Sequence, residues 1–100
     1  MIYFTQLIYI HPGFESTFDE FEAIAIPAIA RYNGKLLFRV RPSADAFIEG
    51  DFDQPYEIHL VSFPDIQDFK NFSMDEERKQ FLHLKEKSIK ASILIKGEML

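Results

Sequence analysis

The chain predicts an α+β sandwich: one four-stranded sheet with helices on one face, in the order β-α-β-β-α-β. Three observations predict it. Four segments rich in Ile, Tyr, Phe, Leu and Val are broken by Pro or Gly. Two segments between them repeat their apolar residues every three or four positions. At 100 residues there is room for a single domain spanning 1–100.

Ile2 to Ile10 is β-branched and aromatic, stopped by Pro12-Gly13, and reads as the first strand. Phe14, Phe18, Phe21, Ala25, Ala28, Ile29 and Tyr32 then share one helical face. Glu15, Asp19, Glu20 and Glu22 suit the positive end of that helix, and Asn33-Gly34 tolerates the backbone that ends it. Pro27 removes a backbone donor and clashes with the carbonyl of Ala23, so a kink or break is expected there, with a separate last turn. Lys35 to Arg41 reads as the second strand, closed by Pro42. Residues 43–55 are polar and long for a hairpin connection, with Phe47 and Ile48 as a candidate short extra strand. Tyr56 to Phe63 is the third strand. Asp65 is a candidate helix cap, and Ser73 with Glu76 fits a second capping signal, after which the helix continues through Phe81, Leu84 and Lys85. Ser88 to Lys96 is the fourth strand.

A helix between strands one and two makes them run parallel, and right-handed crossovers then put both helices on one side. This is the ferredoxin-like arrangement. Parity assigns Ile2, Phe4, Gln6, Ile8, Ile10, Leu36, Phe38, Val40, Ile58, Leu60, Ser62, Ala91, Ile93 and Ile95 to the helix side. The open side is then expected to hold Tyr3, Thr5, Leu7, Tyr9, His11, Leu37, Arg39, Arg41, Glu57, His59, Val61, Phe63, Ser92, Leu94 and Lys96. Such a mixed surface suits contact with a second copy better than contact with water, so a homodimer is expected. A chain this short buries only about 60–68% of its unfolded surface, and a partner supplements a thin core.

Composition excludes several functions. Apolar residues make up 47% and charged ones 27%, a globular balance rather than a disordered one. A net charge of −5 argues against a nucleic-acid footprint or an anionic membrane surface. No apolar run reaches the roughly 18 residues of a membrane span. The N-terminus reads as a strand and not a signal peptide, and with no cysteine there are neither disulfides nor thiolate chemistry. A cytoplasmic location is expected.

The segments Pro27-Ala-Ile-Ala-Arg-Tyr-Asn-Gly34, Glu49-Gly50, Ser62-Phe63-Pro64-Asp65 and Ile95-Lys96-Gly97 form a recognisable set. It resembles the small uncharacterised domains of the dimeric α+β barrel superfamily, kin of the antibiotic-biosynthesis monooxygenases. The resemblance spans nearly the whole chain and implies two subunits pairing through their open sheet faces into a barrel. It implies little about activity, because one fold hosts many functions. Asn33-Gly34 stands where the relatives often carry Gly-Gly. The aromatic-x-Ser-Pro-x-Tyr segment of the second helical region appears only as Phe72-Ser73-Met74-Asp75-Glu76.

The chemistry-bearing candidates come from the strands. Glu57 and His59, two apart, point to one side about 7 Å apart and form a candidate acid–base pair. Arg39 and Arg41 share their side and would attract a carboxylate or phosphate. The plainer alternative is a cross-strand Arg–Glu ladder worth roughly 0.2–1 kcal/mol per pair. Tyr3 and Tyr9 add phenols to the ligand-binding set. His11, at a strand end, and His59 are the candidate catalytic bases. Two histidines without a third ligand make no metal site, and no Gly-rich phosphate loop or nucleophile elbow is present, so neither metal nor cofactor is expected. The leading expectation is a homodimer binding a small anionic or aromatic molecule in a cleft of the barrel. The alternatives are a cofactor-independent monooxygenase or isomerase acting on a small phenolic or keto compound, and an interaction domain with no ligand.

Overall fold

The computed structural model describes residues 1–100. Strand β1 (Ile2–Ile10) leads into helix α1 (Glu15–Arg31) and strand β2 (Lys35–Val40). Strand β3 (Glu57–Phe63) follows the long connection. Three short helices, α2 (Ile66–Ser73), α3 (Glu76–Gln80) and α4 (Leu82–Ser88), then lead to strand β4 (Ile89–Gly97). The sheet order is β2-β3-β1-β4, with every neighbouring pair antiparallel. This is the expected ferredoxin-like α+β architecture, with β1 and β2 running the same way two places apart. No helix is long and apolar enough to cross a membrane.

The core is small. Phe4, Ile29 and Phe63 form its centre, with Phe69 stacked on Phe4 at 4.0 Å between ring centroids. α1 contributes Phe18, Phe21, Ala25, Ala28 and Ile29 from the predicted stripe. Asn33 takes a positive φ of 66° and turns the chain into β2. Gly34 beside it is held by closeness rather than φ. A Cβ there would lie 2.6 Å from the Phe63 ring and 2.7 Å from Ile29.

Four local expectations are corrected. α1 is unbroken through Pro27. Ala23 and Pro27 lie on its exposed side, where water can satisfy the carbonyl that Pro27 cannot. Phe47 and Ile48 form no strand, the connection having only a short 3-10 turn at Ala44–Ala46. Asp75, not Ser73, caps α3, accepting from the Arg78 backbone N–H at 2.8 Å. The Ser73 hydroxyl instead donates to the Lys70 carbonyl. The second helical region also breaks at Phe81, between α3 and α4, rather than running through it.

The larger correction concerns the faces. In β1 the even residues do face the helices, with Phe4 and Ile8 buried. Across from them, however, stand Phe63, Val61, His59 and Glu57, paired with Ile2, Phe4, Gln6 and Ile8. Directly paired residues share a side. Glu57, His59, Val61 and Phe63 therefore lie under the helices, and Ile58, Leu60 and Ser62 on the open side. β4 is exchanged likewise: Ser92, Leu94 and Lys96 pair with Ile8, Gln6 and Phe4, while Ile93 and Ile95 pair with Leu7 and Thr5. In β2 the register slips between Leu36 and Phe38. Leu36 and Arg39 thus share the helix side, and Phe38 and Val40 move to the open one. The open face is consequently more apolar than predicted, and Glu57 and His59 are buried beneath the helices.

Candidate functional site

Glu57 is the centre of the buried polar group, with none of its surface exposed. It accepts from Arg39 Nε at 2.7 Å, from Arg41 Nε at 2.6 Å and from His59 Nε2. Arg41 also pairs with Asp19 on α1, and Arg39 lies 3.9 Å from the same carboxylate. The cluster ties β2, β3 and α1 together. Burial alone would push the Glu57 carboxyl up. Hydrogen bonds from His59, Arg39 and Arg41 outweigh it and bring the value down to about 2. Glu57 is thus ionised, and both arginines are committed to it.

Next to this cluster, between sheet and helices, is a cavity of about 180 Å³. Phe4, Val61, Phe69 and Phe72 supply apolar wall. The polar wall is His59 from β3, Glu22 from α1, Arg78 from α3 and Lys85 from α4. Glu22 is 6% exposed, and its carboxyl opens onto the cavity rather than pairing with a neighbouring side chain. Burial raises its pKa, opposed chiefly by the charge of His59. Burial lowers the pKa of Arg78 and of Lys85, and in both Glu22 pulls the other way. The Arg78 guanidinium also lies over the rings of Phe72, at 5.4 Å, and Phe21, at 6.0 Å. The cavity therefore combines an aromatic lining with two desolvated cations, an acid and an imidazole.

The structure brings together four of the seven predicted site residues: Arg39, Arg41, Glu57 and His59. It does so beneath the helices rather than on the open face. Tyr3 and Tyr9 stay on the open side, where the Tyr9 hydroxyl donates to the Asp53 carbonyl at 2.7 Å. His11 is exposed and packs edge-on to Phe14. His59 pairs with Gln6, so His11 lies five residues further along β1, roughly 17 Å away. The two histidines do not share the face predicted for them. Glu22, Arg78 and Lys85 were missed. Glu22 alone left a signal, an acid between Phe18, Phe21, Ala25 and Ile29 on an otherwise apolar stripe.

Several solved structures share this fold. RPA0582, a protein of unknown function from Rhodopseudomonas palustris, is 14% identical, with 99% of this chain and 82% of that one covered at a TM-score of 0.80. Atu4242 from Agrobacterium tumefaciens is 14% identical over 98% of this chain and 92% of its own, with a TM-score of 0.73. A dimeric protein of unknown function with a ferredoxin-like fold from Bacteroides fragilis is 8% identical over 98% and 95%, with a TM-score of 0.70. At these identities the likeness is one of fold. No curated protein matches the chain. Residues 10–98 match the model of a domain of unknown function, DUF1330, and the chain belongs to that family.

Proposed function

We propose that the protein is a homodimeric domain that binds a compact aromatic molecule bearing an anionic group, in the cavity between sheet and helices. The observation that carries this reading is the pairing of aromatic wall with Arg78 and Lys85 around about 180 Å³. A cavity of roughly 150 Å³ is large enough for a benzene ring. Burial already costs both cations part of their solvation, and a bound anion would return it. Arg39 and Arg41 are held by Glu57 and Asp19 and serve the fold in this reading. Tyr3 and Tyr9, on the open side, belong to the pairing surface.

Benzoate is the probe. Its binding, measured by calorimetry and by thermal shift, is expected in the wild type and weakened about tenfold or more in Lys85→Met and Arg78→Met, each of which keeps an apolar stem. Equal binding by all three proteins, or none by the wild type, rejects the anion site.

A further inference from the structure

Glu22 and His59 are more than an anion site requires. Ionised Glu57 can only accept hydrogen bonds, so His59 Nε2 must be the donor in their contact. In the neutral ring this leaves the lone pair on Nδ1, free of the Glu57 contact. The orienting carboxylate is itself fixed by two arginines. His59, 3% exposed, reaches the cavity from the sheet, and Glu22 reaches it from α1. An unpartnered carboxyl and an imidazole with a set tautomer thus border one small space lined by cations.

We propose that Glu22 and His59 act as a proton-transfer pair that interconverts the keto and enol forms of a small 2-oxo acid bound in this cavity. The inference rests on the binding reading above and adds a reaction to it. Arg78 and Lys85 hold the carboxylate of the substrate. His59 Nδ1 takes a proton from the carbon next to the carbonyl. The C–H pair becomes the C=C bond, the carbonyl π pair moves to oxygen, and the protonated Glu22 carboxyl gives that oxygen its proton. The proton gained by His59 returns to Glu22 through cavity solvent, restoring both groups. No electrons are gained or lost, so no oxidant is needed. The upward push of burial on Glu22 favours the protonated form this step uses.

The test uses pyruvate and phenylpyruvate in D2O, with exchange at C3 followed by proton NMR and binding by calorimetry. The wild type is expected to accelerate exchange over buffer. Glu22→Gln is expected to bind the probes within a fewfold of wild type and to exchange them at least ~100-fold more slowly. Gln keeps the shape of the Glu22 side chain and removes only its charge, so the packing around it is retained. His59→Gln, which keeps a donor for Glu57, is expected to lose exchange to a similar degree. Binding without acceleration in the wild type overturns the proton-transfer proposal and leaves the binding reading standing. So does exchange by Glu22→Gln at the wild-type rate. If neither probe binds, this inference fails, and benzoate binding decides separately whether the binding reading fails with it.

Discussion

A carboxylate sealed from water, as Glu57 is, has to be compensated by groups on all sides, and here three donors do it. Removing the Glu57 charge leaves His59 buried without its ionic partner, while Arg39 and Arg41, about a third or more exposed, keep access to water and Asp19. Glu57→Gln is therefore expected to lose about 1–3 kcal/mol in urea denaturation. The pH dependence has a definite sign. The folded value of about 2 lies below the ordinary 4.5. The stabilisation from Glu57 is complete above pH 4.5 and is lost as pH falls from there towards 2. Glu57→Gln should lack that part of the acid-unfolding profile, and an unchanged profile would show that Glu57 contributes none of it. The residue types of this cluster were legible in the sequence as Arg39, Arg41, Glu57 and His59. Their depth was not. The same alternation fits an exposed Arg–Glu ladder and a buried network, and only the side of the sheet distinguishes them.

At the scale of elements, Asp75 joins three pieces. It caps α3, accepts from the Tyr32 hydroxyl at 2.8 Å and pairs with Arg31 at 3.0 Å, both near the end of α1. Burial would raise its pKa, but the Arg78 N–H, Tyr32 and Arg31 together hold it low. Asp75→Ala should cost about 2 kcal/mol in the same denaturation assay, the upper range for a lost cap. A cost below half of that would mean the α1 contacts add nothing. Element order, strand positions and the stripe of α1 were legible because apolar periodicity and Pro or Gly breaks report them directly. Strand faces were not. In β3 the even set, Ile58, Leu60 and Ser62, is about as apolar as the odd set, Val61 and Phe63 with Glu57 and His59. A one-residue choice of register exchanges them. The slip between Leu36 and Phe38 changes the parity of β2 midway, and no residue there announces it.

At the scale of the molecule, the corrected faces strengthen the case for pairing. The open side now carries Leu7, Phe38, Val40, Leu60, Ile93 and Ile95, with Phe38 47% and Ile95 52% exposed in the lone chain. An apolar face of that extent marks an interaction site, and a second copy would cover it with the same residues. Helices, cavity and the buried Glu57 lie on one side of the sheet, and a twin subunit would cover the other. Leu7, mid-strand on β1 with Ile58 and Ile93 as its neighbours, is where a charge would do most harm to that contact. Sedimentation equilibrium of the wild type and of Leu7→Arg is the most direct measurement. A wild-type dimer at micromolar concentration and a folded monomer for the variant are expected. A monomeric wild type, or a variant that still dimerises, would contradict that pairing.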